Sequence, residues 1–60
     1  MNMKKLGDKC KKFRLSKGFL QSEVAAACGC SRENISAFEQ GRNDSALILL
    51  WYIQKGLKVD

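Results

Sequence analysis

The sequence predicts an all-α domain, and three observations carry that prediction. Apolar residues recur at helical spacing, glycines fall between the periodic segments, and no stretch alternates long enough to make a convincing strand. With 60 residues and no proline, repeat, low-complexity segment or linker, the chain reads as one domain over residues 1–60. Glycines at 7, 18, 29, 41 and 56 serve as its punctuation.

The first helix is expected over about 3–17, because Leu6, Cys10 and Phe13 stand at i, i+4 and i+7 and form one apolar stripe. Lys4, Lys5, Lys9, Lys11 and Lys12 occupy its other faces, and Gly18 ends it. A short alanine-rich helix follows over about 21–28, with Val24, Ala25 and Cys28 sharing a face and Gly29 as its stop. The third is expected over about 31–40. Ser31 is a good N-cap, Ile35 and Phe38 lie at i, i+3, and Gly41 closes it. The fourth runs over about 45–55, capped by Asp44 or Ser45, with Leu57 just after Gly56. In that helix Leu49, Leu50 and Ile53, together with Leu57, are enough to close the core. Leu47, Ile48, Trp51 and Tyr52 are then expected on outward faces.

Composition narrows the function. A chain this short buries only about 60% of the surface it exposes unfolded, so its stability is marginal without a supplement. Disulfides are not the expected supplement: three cysteines are an odd number, and no apolar N-terminal run could serve as a signal peptide. Free thiols in a reducing cytoplasm are expected. No apolar stretch reaches the roughly 20 residues of a membrane span. Eleven Lys/Arg against six Asp/Glu give a net charge of +5, which favours a polyanionic partner through counterion release. An enzyme is not expected. Histidine is absent, no carboxylate pair has useful spacing, and there is no room for a cleft.

The second and third segments carry the functional pattern. Ala25 is small enough for two helices to cross closely, and Gly29 permits the positive φ that redirects the chain. Cys30, Ile35 and Phe38 pin the third helix to the first two, leaving Ser31, Arg32, Glu33, Asn34 and Ser36 as a polar outer edge. A helix whose N-terminal half projects in this way has the shape that enters a major groove. Cys28-Gly29-Cys30 could suggest a metal, but both cysteines fall at expected apolar positions. Neither histidine nor a fourth thiol is present to complete a zinc site, so neither metal nor cofactor is expected.

The run GFLQSEVAAACGCSRENISAFEQGRN resembles the lambda-repressor-like helix-turn-helix domains, the Cro/repressor or Xre-type regulators of phages and bacteria. The likeness extends over about 6–57, through Leu6, Cys10 and Phe13 and the later Gly41, Leu50, Ile53 and Leu57. It implies that Gln21 bonds a DNA phosphate at the start of the second helix. It also places Ser31, Arg32, Glu33 and Asn34 at the groove. There Arg32 can grip a guanine edge, Glu33 can accept from a cytosine amino group, and Asn34 can reach a base or a phosphate. Ala37, where the family often has another base-contacting side chain, could do little beyond touching a thymine methyl. Arg42 and Asn43 would contact the sugar-phosphate backbone. Arg14 and Glu39 would form an ion pair tying the first helix to the third, although from the residues alone they could be separate exposed charges.

Leu20 departs from the family pattern by occupying an N-cap position where Ser, Thr or Asn is common, and Ser45 replaces a frequent proline. The chain ends where many members add a fifth, dimerising helix, which leaves dimer geometry undefined. The lysines of the first helix read as a solvated face whose functional role would be long-range attraction to DNA. An apolar patch at Leu47, Ile48, Trp51 and Tyr52 would mark a two-fold homodimer interface. The resulting expectation is a dimeric, sequence-specific double-stranded DNA-binding regulator, acting as a repressor on an inverted repeat. The alternative is a protein-interaction module of the same fold, an antirepressor or inhibitor that docks through its fourth helix.

Overall fold

The computed structural model describes residues 2–58, which form four helices and no strand. These are α1 (Met3–Lys17), α2 (Gln21–Cys28), α3 (Arg32–Glu39) and α4 (Ala46–Gln54). The all-α expectation holds. Ser31 and Ser45 stand just outside α3 and α4 as N-caps, their hydroxyls accepting from the Asn34 and Ile48 N–H groups. Gln40 and Lys55 are the corresponding C-caps. Helix α1 opens on a cap the sequence pattern did not single out: Asn2 Oδ1 accepts from the Lys4 N–H at 2.8 Å.

Gly7 is not punctuation. It lies inside α1 and is buried where that helix crosses the end of α3. A Cβ there would run into the Phe38 carbonyl oxygen and would stand 2.6 Å from that of Glu39. A Cβ on Gly41 would likewise stand 2.7 Å from Lys4 Cα. Two glycines, one on each side, thus let the first half of α1 lie flush against the C-terminal end of α3.

The core is built from Leu6, Cys10, Val24, Ala25, Ile35, Phe38, Ile48, Tyr52 and Leu57. Each fully buried large apolar side chain in such a core contributes roughly 1.5–3 kcal/mol. Phe38 stacks against Tyr52 with ring centroids 6.3 Å apart, and the edges of Phe13 and Trp51 complete the aromatic cluster.

Helix α4 is rotated relative to the expectation. Ile48 and Tyr52 face the core at 2% and 0% exposure, whereas Leu50 and Ile53 are 48% and 43% exposed. Leu47 is exposed, Leu49 is half-buried, and Trp51 packs edge-on against Phe19 at 5.2 Å. An outward interface made with Ile48 and Tyr52 is therefore corrected. Because α4 is apolar almost all round, its hydrophobic pattern sets no phase. In the observed phase the buried Tyr52 phenol has the polar partner it needs, Glu39 at 3.1 Å.

No helix among the described residues is long and apolar enough to cross a membrane. Cys10, Cys28 and Cys30 are all free thiols.

Candidate nucleic-acid interface

Gly29 takes φ 70°, and the Cys30 N–H donates to the Ala25 carbonyl at 3.0 Å, closing α2 and turning the chain into α3. Ala25 is buried at that crossing, with Val24, Ile35 and Phe38 below it. The turn leaves Ser31, Arg32, Glu33 and Asn34 exposed along the first turn of α3. Ser31 Oγ is committed to the Asn34 N–H at 3.2 Å, which leaves the hydroxyl hydrogen available to an incoming acceptor. Farther along α3, Ser36 and Ala37 are half-buried.

At the start of α2, Leu20 supplies no side-chain acceptor, but Glu23 Oε1 accepts from the Leu20 N–H at 2.8 Å. The Gln21 and Ser22 N–H groups have no backbone acceptor among the described residues. They point out of the positive end of the helix, an arrangement suited to an oxyanion. Arg14, Leu20, Gln21, Ser22 and Arg32 line a shallow depression there, so the open end of α2 adjoins the first turn of α3.

Beneath this surface lies a buried polar hub. Arg14 Nε donates to Glu39 Oε2 at 2.7 Å, and Arg14 Nη1 donates to the Phe19 carbonyl at 2.9 Å. Gln21 Nε2 donates to Glu39 Oε1 at 3.0 Å, and the Tyr52 phenol donates to Oε2. Gln21 is therefore held in place by Glu39 while its backbone N–H stays open. Burial, followed by the charge and hydrogen bond of Glu39, pushes the Tyr52 phenol well above its ordinary pKa. The Cys10 thiol, also buried and near Glu39, is pushed up to about 11. No buried side-chain nitrogen or oxygen among the described residues lacks a hydrogen bond.

After α3, the Arg42 N–H donates to the Ala37 carbonyl at 2.9 Å, a 6→1 bond that fixes the reversal and leaves the Arg42 side chain exposed. Asn43 turns inward. Its Oδ1 accepts from the Ser45 N–H at 2.9 Å and so orders the approach to α4. The exposed polar edge, the open start of α2 and Arg42 come from three stretches of the chain. Sequence reading missed two things: the Tyr52 contribution to the hub, and the association of the α1 lysines with Ser36 and Gln40 in one concavity. Lys4 and Lys11, seven residues apart and flanking Gly7, were the available signal for the second.

A family model described as helix-turn-helix matches residues 11–60. The uncharacterized HTH-type transcriptional regulator y4dJ of Sinorhizobium fredii (strain NBRC 101917 / NGR234) is 37% identical over 60 residues, covering 98% of this chain and 78% of that protein. No solved structure matches the chain.

Proposed function

This chain belongs to the helix-turn-helix family, and from that premise we propose that it binds double-stranded DNA sequence-specifically as a transcriptional regulator. The observation that carries this reading is the exposed edge Ser31–Arg32–Glu33–Asn34, held at the first turn of α3 and uncovered by the rest of the chain. In the proposed complex that turn enters the major groove. Arg32 donates two hydrogen bonds to a guanine edge, Glu33 accepts from a cytosine amino group, and Asn34 serves a base or a phosphate. Ala37 offers a methyl to thymine. The Gln21 backbone N–H and the Arg42 guanidinium take phosphates on either side, with Ser31 and the Asn43 amide as secondary donors.

A homodimer is part of the proposal. Leu47, Leu50 and Ile53 are exposed on one helix that carries no charged residue, in a chain whose net charge is +5. Two copies can meet there through apolar side chains, with Trp51 and the Lys55 ammonium that stacks over its ring at the margin of the same surface. Occlusion of a promoter by a dimer on an inverted repeat, with half-sites about 34 Å apart, makes the protein a cytoplasmic repressor.

Titrating a mixed-sequence duplex with the protein at increasing salt tests the reading. A log–log slope of several units is expected. A slope near zero instead favours docking of the α4 face on another protein, the reading supported by the same exposed leucines and by the acidic Glu33.

A further inference from the structure

Between the first half of α1 and the last turn of α3 lies an open concavity lined by Lys4, Lys5, Lys11, Gln21, Ser36 and Gln40. The two glycine contacts adjoin it, through Glu39 and Lys4. With no side chain at Gly7 or Gly41, the two helices meet so closely that the lysines of one adjoin the polar residues of the other. Asp8 and Glu39 also line it, the first in an exposed ion pair and the second inside the buried hub. Asp8 pairs with Lys12 at 3.1 Å, and Glu39 is held by Arg14, Gln21 and Tyr52. Lys4, Lys5 and Lys11 make no ion pair among the described residues, so the concavity presents three uncommitted cations. Ser36 Oγ accepts from Gln40 Nε2 at 3.1 Å, which frees its own hydrogen for an outside acceptor. Gln21 lines both this concavity and the depression beside Arg32, so the two adjoin at that residue.

We infer that this concavity is a second phosphate-binding track: it holds the phosphodiester backbone of one DNA strand that continues past Gln21, with Lys4, Lys5 and Lys11 as its cations and Ser36 as a neutral donor. The inference rests on the duplex-binding reading above and extends it to a face of α1. Charge here is read as a local contact, which sets these three lysines apart from Lys9, Lys12 and Lys17, whose side chains do not line the concavity.

The test compares two triple variants that lose the same charge. Lys4→Gln/Lys5→Gln/Lys11→Gln and Lys9→Gln/Lys17→Gln/Lys58→Gln each take the net charge from +5 to +2 (5 − 3), and the second leaves Lys12, the partner of Asp8, in place. Binding of a mixed-sequence duplex is measured by fluorescence anisotropy across a salt series. The first variant is expected to lose about two to three units of log–log slope, with the same fold-weakening on every duplex. The second is expected to change the slope by less than about one unit. Replacing the same three concavity lysines by arginine should keep the slope. Lys11→Gln alone should remove about one unit, a readout that survives if the triple variant folds poorly. Equal slope losses in the two triples, or an unchanged slope in the first, would overturn the track while leaving duplex binding intact. A wild-type chain with no salt-dependent binding removes the underlying reading and the track with it.

Discussion

The phenol of Tyr52 reaches 3.1 Å across the core to Oε2 of Glu39, the same oxygen that Arg14 Nε grips at 2.7 Å. With Gln21 on the other oxygen, one carboxylate of α3 ties down side chains of α1, α2 and α4. In so small a core this arrangement fixes orientation more than it adds net stability, since desolvating the Arg14–Glu39 pair offsets much of its attraction.

Breaking that hub from one side is expected to be severe. Glu39→Ala leaves the Arg14 guanidinium buried without its counter-charge and should cost about 3–5 kcal/mol. Tyr52→Phe removes one hydrogen bond to a charged group and should cost about 1.5–3 kcal/mol. Urea denaturation followed by circular dichroism measures both. Equal stability of Glu39→Ala and wild type would mean that the pair contributes nothing.

Gly7→Ala should destabilise even though alanine is the better helix former by about 1 kcal/mol. The added methyl meets the backbone carbonyls of Phe38 and Glu39, which cannot rotate away as a side chain would. A net loss of roughly 1–3 kcal/mol is expected from such overpacking. A melting temperature raised above that of the wild type would contradict the close crossing of α1 and α3.

On DNA, Arg32→Ala and Arg42→Ala should differ in kind. The first is expected to cost about 1–3 kcal/mol and to relax preference at one base position. The second should weaken all duplexes alike and lower the salt slope by about one unit. Selection from random duplexes followed by affinity measurements separates them, and a uniform loss for Arg32→Ala reassigns that side chain to a phosphate.

Alkaline pH should destabilise the domain through two buried acids, the Cys10 thiol and the Tyr52 phenol. Cys10 ordinarily titrates at 9.0 and is held at about 11 in the fold, mainly by burial and then by Glu39. The Tyr52 phenol is raised as well. The folded chain keeps both protons after the unfolded chain has begun to release them, so stability is full below about 9 and falls as pH rises toward 11. Cys10→Ala should flatten the early part of that fall in a series of denaturation midpoints. An unchanged profile would show that the thiol is not responsible.

The proposed dimer has its own test. Leu47→Lys/Leu50→Lys places two charges on the exposed face of α4 and leaves Ile48 and Tyr52 untouched in the core. Sedimentation equilibrium should then report a monomer where the wild type associates. A dimer that survives the change must use another surface.

Much of the fold was legible in the sequence because its signals are local. Ser31 and Ser45 are strong caps, Gly29 suits a left-handed turn, and Leu6, Cys10, Ile35 and Phe38 keep helical spacing. Helix α4 was less legible for an equally physical reason. When almost every position is apolar, the pattern marks no inward face, and the phenol–carboxylate bond that accompanies the observed rotation joins residues 13 apart in sequence. Of the candidate site, the exposed edge of α3 follows from the sequence pattern. The basic concavity does not, since it depends on how closely separate helices approach.

Leucine at position 20 gives the first turn of α2 no side-chain acceptor, and the Gln21 and Ser22 donors have no backbone partner among the described residues. Glu39 holds the Gln21 side chain and Glu23 the Leu20 N–H at that end, but the Gln21 and Ser22 amide hydrogens should exchange faster without DNA than with it. A built-in cap, as in Leu20→Ser, would stiffen the unbound protein by about 1 kcal/mol. It would also supply in advance part of the ordering that a phosphate otherwise provides. Recognition and local rigidity are in this way coupled through what one side chain lacks.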